Sequence, residues 1–155
     1  MAVHLISTGL SGDIRNTTQP AFEVTGSETD VGNHTMFATD NGFSVTERYD
    51  QGADFNTANG LFTAPVTGRY YFGFGVRMDS LPNFTYIHIG LTTSNRTRAT
   101  IYISQSTNRT YESGSFSTIT DMDVNDTAKI VVFASSGGST TDIDPESTFS
   151  GCLIC

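Results

Sequence analysis

Apolar and polar residues alternate with period two in short runs along this chain, and no run keeps a helical period for the length of a helix. The runs are Pro20–Val24, Gly42–Tyr49, Gly68–Met78, Thr85–Leu91, Arg98–Ser104, Phe116–Met122, Ala128–Ala134 and Ser147–Cys155. Turn residues separate them: Asn41-Gly42, Thr92-Thr93-Ser94-Asn95 and Asp123-Val124-Asn125-Asp126. The last two predict hairpins between the runs they join. Many short strands without helices predict an all-β fold, an antiparallel jelly roll or related sandwich.

The longest run sets two unlike faces against each other. Tyr70, Phe72, Phe74 and Val76 share one parity; Tyr71, Gly73, Gly75 and Arg77 share the other. Glycine inside a strand costs stability and marks a bulge, a bend or a close approach of other backbone. The closing run behaves alike: Phe149, Gly151 and Leu153 alternate with Cys152 and Ile154, so both of its faces are apolar. A terminal strand buried on both sides is unusual in a lone chain.

A length of 155 residues suits one domain with a core of its own. The net charge of −8 repels phosphate backbones and argues against nucleic acid as a partner. No apolar run approaches the ~20 residues of a membrane span. Residues 1–15 lack the basic and long apolar regions of a secretory signal.

Asp50, Phe55 and Phe62, followed by Gly68-x-Tyr70-x-Phe72-x-Phe74, stand at the spacings of a known signature. Pro20–Val24 matches the opening strand of the same family, and Ser147-x-Phe149-x-Gly151-x-Leu153-Ile154 its closing strand. On these residues the chain resembles the complement C1q-like globular domain over about Gln19 to Ile154. Two positions depart from it. The leading Phe would fall at Ser44, whereas Phe43 is one residue off, and the Gly-Asp of the last long hairpin reads Asn125-Asp126. The resemblance implies a jelly roll of about ten strands, of the tumour-necrosis-factor-like kind, expected to trimerise. It places Phe22, Phe55, Phe62, Tyr70, Phe72, Phe74, Phe149 and Leu153 in the core. It sets Tyr71, Gly73, Gly75, Arg77, Cys152 and Ile154 at the trimer interface. Residues 19–155 then form the domain and residues 1–18 an N-terminal arm.

The remaining motifs carry little chemistry. Cys152 and Cys155 spell C-x-x-C, but in an extended strand they sit about 10 Å apart on opposite faces, beyond a disulfide's reach of roughly 7 Å. Asp121, Asp123 and Asp126 resemble half a calcium loop, yet Asp126 stands where glycine is needed and Val132 where glutamate is needed. A looser calcium site drawing also on Asp142, Asp144 and Glu146 stays open; no other cofactor is expected. His4, His34 and His88 are scattered, and no nucleophile elbow appears, so the chain is not expected to be an enzyme. Asn16, Asn33, Asn83, Asn95, Asn108 and Asn125 each begin Asn-x-Thr, read either as glycosylation acceptors or as turn-capping loop residues.

Two functions compete. The first is a trimeric virion surface protein, a capsid decoration or fibre head, whose arm adds a strand to a capsid or tail protein. The second is a secreted, lectin-like or cytokine-like module that binds glycans or protein receptors through loops such as Asp79–Phe84, Thr92–Thr97 and Ser135–Glu146.

Overall fold

The computed structural model describes residues 19–31, 34–81, 84–105, 109–135 and 140–155. In chain order the strands are β1 (Ala21–Val31), β2 (His34–Thr35), β3 (Ser44–Asp50), β4 (Phe55–Asn56), β5 (Leu61–Thr63) and β6 (Gly68–Leu81). They continue as β7 (Phe84–Thr93), β8 (Thr97–Gln105), β9 (Arg109–Met122), β10 (Thr127–Ser135), β11 (Thr141–Ile143) and β12 (Thr148–Leu153). The pieces of two or three residues raise the strand count above the ten expected. One sheet runs β11-β1-β12-β6-β9 with β3 added on β1, and the other runs β4-β5-β10-β7-β8 with β2 added on β10. Every pairing is antiparallel. The fold is an all-β jelly-roll sandwich.

Period-two alternation positions the core. The inward parity of β6 carries Tyr70, Phe72, Phe74, Val76 and Met78, all buried, and that of β7 carries Ile87, Ile89 and Leu91. Phe22 is the hub: its ring lies 4.9 Å from Phe55, 5.1 Å from Phe62 and 5.0 Å from Phe149. Each fully buried ring contributes roughly 1.5–3 kcal/mol by leaving water, so this cluster clamps the two sheets together. Seven of the eight expected core residues lie in it. Leu153 is only partly buried. As the last residue of β12 it reaches the rim of the sandwich, where its Cδ1 would lie 2.6 Å from a Cβ at Gly68.

The signature residues have local jobs. Asp50 accepts from the backbone N–H groups of Asp54 (3.1 Å) and Phe55 (2.9 Å), fixing the bend that leads into β4. The Tyr70 hydroxyl donates to the Val66 carbonyl at 2.7 Å and pins the turn before β6. A Cβ at Gly151 would stand 2.6 Å from the Phe72 ring and 2.8 Å from Phe22, so the closing strand admits only glycine there.

Three expectations need correction. Phe116–Met122 and Ala128–Ala134 do not form a hairpin. β9 pairs with β6 along nearly its whole length, while β10 pairs with β7 in the other sheet. The turn at 123–126 therefore crosses the sandwich, tied by Asn125 N–H to the Ala64 carbonyl and Ala64 N–H to the Asp126 carbonyl, both at 2.8 Å. A long ladder with a distant strand outweighs a short local one. Second, β1 runs on to Val31 and β9 begins at Arg109. Hydroxyl-rich stretches hid both extensions from a search for apolar alternation. Third, Met36, Phe37 and Ala38 are fully buried without belonging to any predicted run.

The displaced Phe43 has a structural counterpart. Glu23 pairs with Tyr49, but Val24 pairs with Glu47, so Arg48 faces no partner. A bulge of this kind takes up one residue. It absorbs the extra residue between Phe43 and Asp50, and Phe43 still reaches the core against Phe37, ring centroids 5.8 Å apart.

Candidate assembly face

The outward side of the β6 sheet carries the expected interface residues. Three cross-strand rows define it. Cys152, Tyr71 and Ile119 lie side by side, then Ser150, Gly73 and Ser117, then Thr148, Gly75 and Ser115. Arg77 opposite Ser113 and Asp79 opposite Tyr111 continue the strip. Most of these side chains are small, which leaves the backbone near the surface. Two shallow hollows result: about 310 Å³ over Tyr71, Gly73, Ser115 and Ser117, and about 420 Å³ over Gly75, Arg77, Ser113 and Glu146.

The two glycines differ. A Cβ at Gly73 would sit 3.2 Å from the Tyr71 hydroxyl, so the chain's own phenol lies across that position. At Gly75 the nearest atom is Thr148 Oγ1 at 3.6 Å, an ordinary contact, and among the described residues no other group across from it comes within 4 Å. Gly75 alone carries the argument for close approach from outside. Farther along the strip, past Gly73, stand apolar groups open to water: Ile119 is 56% exposed, Tyr71 40% and Ile154 47%. Ile154 follows β12, its N–H bonded to the Arg69 carbonyl at 2.7 Å.

Arg77 is the charged point of the strip. Its Nε lies 3.4 Å from Asp79, and its Nη1 lies 3.9 Å from Asp144 and 3.6 Å from Glu146. Its Cζ stands 5.8 Å from the Tyr111 ring centroid. The Asp79 charge, then that of Asp144, holds the guanidinium firmly protonated. A cation already held by acids and a ring points outward without a large desolvation cost of its own.

The structure divides the candidate calcium ligands between separate places and engages most of them. Asp126 accepts from the Ser94 hydroxyl and the Asn95 amide, each at 2.6 Å, and from the Asp123 N–H at 2.8 Å. The Ser94 bond, then the one from Asp123, holds its carboxyl below the usual range. Asp121 pairs with Arg96 at 3.4 Å. Asp142 accepts from the Asp30 N–H, and Asp144 from the Glu146 N–H. Among the described residues no three His, Cys, Asp or Glu converge as metal ligands, so this donor set does not fit calcium. Cys152 and Cys155 are free thiols. His88 lies on β7, while His4 and the side chain of His34 fall outside the described residues, as do residues 1–18, Asn16, Asn33, Asn83 and Asn108.

A two-sheet jelly roll with one open, small-residue face is the frame of a surface-binding module. The sequence model of the C1q domain matches residues 21–154, and the chain belongs to that family. No curated protein matches it. Among solved structures it is similar to the globular domain of zebrafish complement 1qA protein, at TM-score 0.64 and 22% identity over 88% of this chain and 98% of that one. It is also similar to murine APRIL (TM-score 0.57, 9% identity, 88% and 99% covered). The Eiger TNF of S. frugiperda aligns likewise (TM-score 0.57, 11% identity, 89% and 94% covered). Globular domains of this kind are non-enzymatic, typically trimeric and typically extracellular or secreted. Among the described residues no helix is long and apolar enough to cross a membrane.

Proposed function

We propose that this chain is an extracellular recognition head that works as a homotrimer, three copies closing on the outward side of the β6 sheet. The observation that carries the reading is one strip: Gly75 lies open between Thr148 and Ser115, and the exposed Tyr71 and Ile119 stand two rows along it beyond Gly73 and Ser117. Backbone this bare permits backbone-level approach by a neighbour, and each exposed apolar side chain, already about half buried, would add about half of the roughly 1.5–3 kcal/mol of full burial. Tyr71, Gly75, Arg77, Cys152 and Ile154 are the contact residues, with Gly73 acting through the Tyr71 ring laid over it. The virion reading gains no support, since neither the family nor the structures named above concern a capsid or tail protein.

Light scattering on the purified chain at micromolar concentration tests the reading. Three chains per particle are expected. A monomer at that concentration overturns it.

A further inference from the structure

The β7 sheet turns a different surface outward. On β7 the inward residues are Ile87, Ile89 and Leu91, so Tyr86 and His88 point away from the core. Phe133 of β10 and Tyr102 of β8 pair with His88 from either side. The rings form one connected group. His88 stacks on Tyr102 at 4.7 Å and 6°, Tyr86 lies 6.1 Å from Tyr102, and Phe133 lies 6.2 Å from Tyr86. Tyr102 is 64% exposed and Phe133 44%. Nε2 of His88, closed off from water at the edge of this group, has no hydrogen-bond partner. An orphaned buried polar atom is uncommon and calls for an explanation.

We propose that Tyr86, His88, Tyr102 and Phe133 form a binding platform for a neutral saccharide. Charge and size select that occupant. The chain carries 24 charged residues by its 8 basic and 16 acidic counts. Yet among the described residues the outward neighbours of the rings, Gly90, Ser104 and Val131, carry no charge, and Lys129 follows only two positions beyond Val131 on β10. Among the described residues a charged ligand finds no counterpart beside the rings, and the net charge of −8 disfavours nucleic acid, whose bases also stack on rings. The platform spans three strands, about 10 Å at ~4.8 Å per strand, the length of a disaccharide.

Size argues against a protein. Two exposed rings, Tyr102 and Phe133, and two more deeply set ones, Tyr86 and His88, offer at most about 400 Å², against roughly 800 Å² per partner in a stable protein interface. Ring spacing argues against a proline-rich peptide. Centroids 4.7–6.2 Å apart are in mutual contact, leaving no slot for a pyrrolidine ring between them. A ligand has to lie on top, as the C–H face of a pyranose does. Its hydroxyls would meet the two phenols, and one hydroxyl can either donate to Nε2 or accept from it once the imidazole turns toward the ligand.

This assignment rests on the recognition reading and names its ligand class, but it does not need the trimer. The test is calorimetric titration of the full chain with a soluble β-glucan, a mannan, a galactan and chitin oligosaccharides, with polygalacturonate and oligoproline as controls. Binding to at least one neutral saccharide is expected. Tyr102→Ala is expected to weaken it about tenfold or more, the scale of a lost aromatic anchor, with thermal midpoint and particle mass unchanged. His88→Phe, which keeps the stack and removes the nitrogen, is expected to weaken it less than Tyr102→Ala does. The Ile119→Asp chain retains binding per chain whether or not it is trimeric, so failure of the trimer and failure of the platform are separable. The proposal falls if no neutral saccharide binds or if binding survives both Tyr102→Ala and Phe133→Ser. It falls equally if oligoproline binds in their place, or if Tyr102→Ala breaks the trimer, which would make the rings an interface between copies.

Discussion

The two sheets share one core and turn unlike faces outward. The β6 sheet shows Gly73, Gly75, Ser113, Ser115, Ser117 and Ser150, so its backbone lies close to the surface. The β7 sheet shows Tyr86, His88, Tyr102 and Phe133, which lift the surface a ring's height above the strands. A low face suits a large, complementary body that brings its own side chains, and another copy of the chain is such a body. A raised patch of rings suits a small ligand laid on top. The same inward parity, aromatic on β6 and aliphatic on β7, underlies both, so outward residues divide the labour while the core stays common.

Substitution at the shared foundation has the largest expected effect. Gly151→Val drives side-chain atoms into Phe72 and Phe22, an overpacking that costs roughly 1–3 kcal/mol or more. The thermal midpoint should drop by many degrees, and both outward faces should fail together. A variant that melts like the parent contradicts the close packing of the closing strand. Next comes the low face alone. Ile119→Asp with Gly75→Glu places carboxylates where neighbours would meet, and light scattering should report one chain per particle with the fold's circular dichroism unchanged. A trimer that tolerates both moves the interface elsewhere.

The two glycines sharpen the comparison further. Gly75→Ala makes only an ordinary contact with Thr148 within the chain, so in an Ile119→Asp background selected as monomeric its stability should change by less than ~0.5 kcal/mol, while in the parent background it should make the trimer dissociate at higher concentration. Gly73→Ala instead crowds Tyr71 and should shift that ring's resonances even in the monomer. Equal behaviour of the two would erase the distinction.

The smallest effect is on pH. The depressed Asp126 carboxyl stabilises the turns at 94–95 and 123–126 fully above its unfolded value of ~3.9, and that contribution is lost as pH falls through the lower folded value. Asp126→Asn should flatten the fall in thermal midpoint between about pH 4 and 2. An unchanged slope would show that the turn does not depend on the charge.

Much of this arrangement was legible in the sequence where alternation and signature coincide. Gly68–Met78 declared its core and its open face by parity alone, and the aromatic cluster of Phe22, Phe62 and Phe149 followed from motif positions 40 and more residues apart. Extended polar stretches were not legible, because Thr25–Thr29 and Thr110–Ser115 join their ladders through backbone groups and present hydroxyls that also suit turns. The crossing at 123–126 was misread as a hairpin, since partner choice depends on β6, which ends at Leu81, 42 residues upstream of Asp123. The ring platform lay on strands that alternation had found. Tyr86 and His88 share a parity opposite to Ile87 and Ile89, a signal that was present. Only the register joining β7 to β10 and β8 brings Phe133 and Tyr102 beside them.

The bulge at Arg48 bears on what the molecule avoids. Among the described residues β3 pairs only with β1, so its far side offers a row of free amides and carbonyls, a template on which a stranger's strand could grow. An interrupted, twisted border with Glu47 and Arg48 on it is a poor template. Runaway stacking is thereby discouraged at the margin, which leaves the proposed face of the β6 sheet, closing after a fixed number of copies, as the route for self-association.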